Sequence, residues 1–187
     1  MSQMRFTHDT ELTLRAACVL VNSDRTDGDH LADQAALDSY LRTFGWTGRR
    51  DRDDAELAAV HRLRARLARI WASADDETRT VDEVNALLAD THAAPWLTRH
   101  PEMPEWHLHL ASTDDPLARR MGAEMAMALA DLIRADELRR LKTCAAPDCE
   151  AVLIDLSRNR SRMFCDTGNC GNRQHVAAYR ERRSKDH

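Results

Sequence analysis

The sequence predicts a mainly α protein. A helical N-terminal domain carries one β-hairpin, and a small C-terminal module of β-hairpin and helix is pinned by cysteines. Three observations predict it. Ala, Leu and Arg are plentiful while aromatic residues make up 5% of the chain, a composition that favours helix. Apolar residues recur at three- and four-residue spacing through most of the first 138 positions. Four of the five cysteines fall in two pairs near the C-terminus. A chain of 187 residues suits one domain with a true core plus a small appended module. The division is expected between residues 1–138 and residues 139–187.

Taken in order, Asp9-Thr10 can cap a first helix that runs to Val21, with Leu12, Ala16, Val19 and Leu20 inward. A polar loop rich in turn formers follows, from Asn22 to Asp29. Asp33 can cap a second helix, Gln34 to Phe44, which Gly45 ends at the position after the cap. Its residues Leu37, Tyr40, Leu41 and Phe44 share one face. Asp53 or Asp54 can cap a third helix with Leu57, Val60, Leu63, Leu67, Ile70 and Trp71 inward and Arg62, Arg66 and Arg69 outward. Thr80 and Glu83 have the spacing of a capping box, opening a short helix that buries Val84, Leu87 and Leu88. Trp96–His100 and Glu105–Leu110 flank Pro101-Glu102-Met103-Pro104. Alternation in the second run puts Trp106, Leu108 and Leu110 on one face, which predicts a hairpin packed on the helices. Asp115-Pro116 opens the longest helix, striped with Leu117, Met121, Met125, Leu129, Leu132 and Ile133. Asp136 can recap a last helical turn, Glu137 to Lys142, that leads into Cys144.

The cysteine pattern carries the chemistry. Cys144 and Cys149, then Cys165 and Cys170, are each separated by four residues, with fifteen between the pairs. Four thiolates suit one tetrahedral Zn²⁺, and four protein ligands leave no position for water or substrate, so the site is structural. Two disulfides are the competing reading. They need an oxidising compartment, whereas Met1 to Leu12 lacks the apolar core of a signal peptide. They would also leave Cys18 unpaired.

The fourth cysteine begins the tetrad Cys170-Gly171-Asn172-Arg173, and the basic run Ser157-Arg158-Asn159-Arg160-Ser161-Arg162 precedes it. On these residues the segment Cys144–Arg183 resembles the CGNR zinc finger. In that family the finger follows a helical ABATE domain, and the stretches Val21-Asn22-Ser23 and Leu31 to Leu37 resemble the start of one. The resemblance implies a stress-associated bacterial transcription regulator. Locally, two knuckles (one limited by Pro147, one by Gly168-Asn169) bracket a hairpin. Its strands are expected over Ala151–Asp155 and Arg160–Phe164, with a bend at Ser157-Arg158-Asn159. A helix from Gly171 to Arg183 completes a treble-clef-like arrangement. Gly171 is expected to let the backbone approach sulfur, and Asn172 to bond the knuckle backbone. Arg173 has two readings, a bridge from knuckle to hairpin or a phosphate contact.

Charge points the same way. The net charge of −4 divides into −9 over residues 1–138 and +5 over residues 139–187. Zn²⁺ bound by four thiolates would remove about two charges from the tail. A basic module on an acidic body suggests that one end meets a polyanion. The bland alternatives are attraction between the two ends and a merely solvated surface. In an extended strand Arg158, Arg160 and Arg162 would point one way, and Arg173 and Arg180 share a helical face that Arg182, Arg183 and Lys185 extend. Two such clusters form a phosphate clamp, with Arg158, Asn159 and Arg160 at the tip available to bases.

The expected function is therefore DNA binding by the finger, while the helical domain senses a small-molecule effector or forms a homodimer. A pocket for that effector is expected between the helices and the 96–110 hairpin, near Asn22 or Trp106. RNA binding is the second reading. A protein-interaction module with a purely structural zinc is the third. No enzyme is expected: Gly-rich phosphate loops, G-x-S-x-G and H-E-x-x-H are all missing from the sequence. A second metal at His107 and His109, with His92, His100, Glu102 and Glu105 near, would revive that possibility. No apolar run approaches the ~20 residues that span a bilayer, so a cytoplasmic protein without membrane contact is expected.

Overall fold

The structure, a computed structural model, describes residues 6–100 and 103–185. Its helices are α1 (His8–Val21), α2 (Gln34–Thr43), α3 (Asp54–Ala72), α4 (Glu77–Asp90), α5 (Leu117–Arg134) and α6 (Cys170–Lys185). Its strands are β1 (Asp24–Arg25), β2 (Gly28–Asp29), β3 (Trp96–His100), β4 (Met103–His109), β5 (Leu141–Thr143) and β6 (Val152–Ile154), paired as three antiparallel two-stranded hairpins. The protein is mainly α, with small hairpins and a C-terminal cysteine cluster. None of the described helices is long and apolar enough to cross a membrane.

The body is a helix bundle in which α5 packs on α1, α3 and α4. Its core joins Leu14, Leu20, Leu37, Val60, Leu67, Ile70, Leu87, Met121, Met125 and Leu129. Two caps form as expected: the Asp33 carboxylate accepts from Ala36 N and the Asp53 carboxylate from Glu56 N, each at 2.8 Å. Gly45 follows α2 with φ +69°, a conformation that an L side chain resists. The outward arginines of α3 lie on a solvated face, with Arg66 paired to Asp90 at 2.8 Å and Arg69 to Glu83 at 3.3 Å.

Several elements differ from the expectation. α1 is capped at Thr7, and Val19 is 47% exposed, because Leu14, Ala17, Cys18 and Val21 take the inward face. α4 begins at Glu77, capped by Asp76. Thr80 is not a cap: it is buried within the helix, its hydroxyl bonded to Ser73 O at 2.6 Å. The earlier cap wins because it adds a turn of helix and lets Thr80 satisfy the end of α3. Pro116 holds the cap position of α5 rather than the first helical position. α5, with 18 residues, is one shorter than α3, with 19.

The largest difference is at the hairpin. β3 and β4 pair with Trp96 opposite His109, but Trp106, Leu97 and Leu108 are exposed, and only Leu110 just beyond β4 is fully buried. The strands bury each other's edges rather than lying flat on the helices. Trp106 is covered by the Arg99 guanidinium, 4.9 Å from the ring centre. The other correction is at residues 137–142. The helical turn there is shorter than expected and does not reach Cys144. After a 3-10 turn (Leu138–Arg140) the chain becomes β5 and pairs with β6, Leu141 opposite Ile154.

Candidate metal centre and its basic surroundings

β5 and β6 are the arms of the first knuckle. Cys144 N donates to Ala151 O at 2.8 Å and Cys149 N to Ala146 O at 3.1 Å, closing a tight loop that holds two thiols side by side. The second pair is brought over it. Ala145 N donates to Met163 O at 2.8 Å, and Cys165 N points to Cys144 Sγ at 3.4 Å. Cys170 opens α6, where the helix dipole favours a thiolate. The four Sγ atoms lie within 4.8 Å of one another, and all four cysteines are free.

The donor set fits Zn²⁺. Bonds of about 2.3 Å in a tetrahedron put sulfurs about 3.8 Å apart. Here Cys149 Sγ and Cys165 Sγ are 3.6 Å apart, and Cys165 Sγ and Cys170 Sγ 3.7 Å. Cys144, Cys165 and Cys170 are buried, so the cluster is shielded as a structural site requires. Burial raises the Cys165 thiol, but hydrogen bonds from Thr167 and Gly168 outweigh it and bring it down to about 6. Cys149 moves the other way, to about 12, through burial and its three thiol neighbours. The ion, when bound, draws all four into the thiolate form and cross-links the module.

This geometry agrees with the comparison to protein families. The family model "CGNR zinc finger" matches residues 140–183. The model ABATE, described as "Putative stress-induced transcription regulator", matches residues 14–136, about two thirds of the chain. The chain belongs to the ABATE family. No curated protein matches it. The ABATE body is followed here by a CGNR finger with one structural Zn²⁺ site at Cys144, Cys149, Cys165 and Cys170.

The rest of the CGNR tetrad divides in role. Arg173 bridges the first knuckle to the start of its own helix rather than to the hairpin: one nitrogen meets Asp148 at 2.7 Å, and another meets Cys170 Sγ at 3.2 Å. It thus ties α6 to the knuckle and offsets thiolate charge. Asn172 is exposed beside it. Gly171 lies against the Phe164 ring, where an added Cβ would sit at an ordinary 3.5 Å. The close approach to sulfur belongs to Gly168, whose added Cβ would lie 3.2 Å from Cys170 Sγ.

The basic run is not a strand. β6 pairs with β5 on one edge and is bonded by the Asn22 side chain on the other, so Arg160–Phe164 has no ladder to join, and Arg160 has φ +52°. The segment instead wraps the fully buried carboxylate of Asp155. That group accepts from Lys142 Nζ at 2.6 Å, Ser157 N at 3.0 Å and Arg162 N at 2.9 Å. Burial pushes this carboxyl up, but the Lys142 ammonium and these donors outweigh it and hold it below the usual range. The Asp-x-Ser spacing was a readable signal of this turn. Arg160 reaches Glu137 at 3.4 Å, and Arg162 pairs with Asp166 and donates to Phe164 O at 3.1 Å. The alternation argument for Arg158, Arg160 and Arg162 therefore lacks its strand. Arg158 and Asn159 lie exposed at the loop tip, and Arg180 and Arg183 lie exposed on α6.

The finger is docked on the body through contacts the sequence did not disclose. Trp71 Nε1 donates to Leu153 O at 3.2 Å, and the Cys18 thiol donates to Val152 O at 3.4 Å. Leu141 and Ile154 belong to the core of the bundle. Burial pushes the Cys18 thiol up to about 11, which fits a packed neutral group. The histidine pair stands on β4, with Nε2 of His107 and His109 3.2 Å apart. Glu102 lies outside the described residues, as does the side chain of His100. Among the described residues the four cysteines are the one cluster of three or more metal-ligand side chains.

Proposed function

We propose that this ABATE–CGNR protein is a DNA-binding regulator whose finger presents α6 to the duplex. One observation carries the reading. From Asn172 onward α6 has its described side chains largely exposed, and they include Arg173, Arg180, Arg182 and Arg183. Its first turn is clamped by Cys170 and by the Arg173–Asp148 pair. A basic helix held rigidly at one end suits the width of a major groove, with arginines at phosphates. Arg158 and Asn159 at the neighbouring loop tip extend the same surface. Arg160 and Arg162 are engaged within the finger and serve to shape it.

The finger acts by binding rather than catalysis, because a zinc with four protein thiolates has no open position. Thiolate ligation also favours a reducing compartment, which supports a cytoplasmic location. The acidic body supplies the regulatory half, by sensing an effector or pairing with a second copy.

The test is binding of the zinc-loaded protein to random duplex DNA and to single-stranded RNA at two salt concentrations. Salt-sensitive DNA binding is expected. The Arg180→Ala/Arg183→Ala variant should weaken it and flatten the salt dependence by about one unit of slope per arginine. Arg158→Ala/Arg160→Ala should weaken it less. Preference for RNA would replace the DNA reading, and no binding at low salt would remove it.

A further inference from the structure

A cleft of about 840 Å³ opens where the body meets the finger, within the size range that takes a whole small molecule. It lies beside Asn22, one of the two positions expected, and away from Trp106 and the β3–β4 hairpin. One wall is α1, which turns Arg15, Val19 and Asn22 toward it at i, i+4 and i+7. The facing wall is α2 with Phe44 at its end, and the floor is β6.

The chemistry of the lining is two-sided. The polar groups of the floor are already bonded: Val152 by Asn22 and Cys18, and Leu153 O by Trp71. The floor therefore offers mainly apolar surface, and Val19, 47% exposed, is the apolar side chain left open on α1. The rim is basic. Arg15, Arg25 and Arg162 line the cleft against one acid, Asp166, on a body whose formal balance is −9. Arg162 is engaged by Asp166, and Arg25 by Asp27 at 3.0 Å. Arg15 stands exposed one helical turn from Val19.

We propose that this cleft binds a small amphipathic anion, an apolar carboxylic acid whose tail lies on Val19 and β6 and whose carboxylate meets Arg15. An apolar floor under a basic rim fits that class and disfavours both a sugar and a cation. The planar guanidinium fork matches a carboxylate. The walls come from both body and finger, so an occupant stabilises their docking. Its effect on DNA affinity rests on the DNA reading above, but its binding does not.

The experiment uses the full zinc-loaded chain without DNA, with the fluorescent anion anilinonaphthalene sulfonate as probe and decanoate or decanol as competitor. Saturable binding is expected, displaced by decanoate and not by equal decanol. Val19→Glu should weaken the probe at least about tenfold, by opposing its charge and removing apolar contact. Ser39→Trp, which fills the cleft from the exposed side of α2, should do the same with helical circular dichroism unchanged. Trp106→Ala, on the exposed hairpin, should have no effect. Binding indifferent to both cleft variants, lost in Trp106→Ala, displaced equally by decanol, or absent altogether overturns the assignment. Each of those outcomes leaves the duplex-binding result standing, and failure of duplex binding leaves this one standing.

Discussion

The side chain of Asn22 bonds both backbone polar groups of Val152, donating to its carbonyl at 2.8 Å and accepting from its amide at 2.9 Å. Asn22 sits just past α1 and Val152 begins β6, so an amide side chain stands in for a third strand on the open edge of the finger's hairpin. Asn22→Ala leaves the Val152 amide without its partner and the carbonyl with the Cys18 thiol alone, in a part-buried junction. Two lost bonds at about 1 kcal/mol each predict a loss of about 2 kcal/mol, read as a lower urea midpoint of the zinc-loaded protein. An unchanged midpoint would show that water replaces the side chain without cost.

Removing a zinc ligand reaches further than the tail. A two-module reading of the sequence expects Cys165→Ser to unfold residues 139–187 alone. Leu141 and Ile154 lie in the bundle core, however, and Trp71 donates to Leu153. Zinc release should keep most helical circular dichroism but lower body stability by about 3–6 kcal/mol, the scale of re-exposing two buried aliphatic side chains. A thermal midpoint of the body that stays put would restore the two-module view.

The two glycines near Cys170 should respond in opposite ways. Gly168→Ala puts a methyl 3.2 Å from Cys170 Sγ, whereas Gly171→Ala meets Phe164 at 3.5 Å. Strain of about 1–2 kcal/mol at a ligand sulfur should cost zinc affinity about tenfold in Gly168→Ala, measured by chelator competition. Gly171→Ala should hold zinc like the parent although it alters the tetrad.

Glu124 makes stability depend on pH. It accepts from Leu110 N at 3.2 Å. Burial pushes its carboxyl up from 4.5 to about 7, with Asp9 adding to the rise and the Leu110 bond and His107 opposing it. The folded state therefore binds the proton more tightly than the unfolded chain, so stability falls as pH rises from 4.5 to 7 and stays lower above that. Glu124→Gln keeps an acceptor without the charge. It should match the parent at low pH and exceed it by about 1–3 kcal/mol at alkaline pH in denaturant titrations. A variant less stable than the parent at both pH values would assign Glu124 to packing.

The sequence by itself determined the elements whose causes are local. The Asp33 and Asp53 caps, Gly45 after α2, the stripes of α2, α3 and α5, and the four thiol ligands all follow from neighbours a few residues away. Only the tertiary structure decided what each surface faces. Val19 fits a helical stripe as well as Val21 does, but the inward face of α1 was already filled. Arg158, Arg160 and Arg162 alternate as a strand would, but β6 had found β5 and the segment closed on Asp155 instead. The Asn22–Val152 bond joins residues 130 positions apart. A polar side chain declares its capacity to bond, and the fold chooses the partner, because an unsatisfied buried group costs more than any local preference supplies.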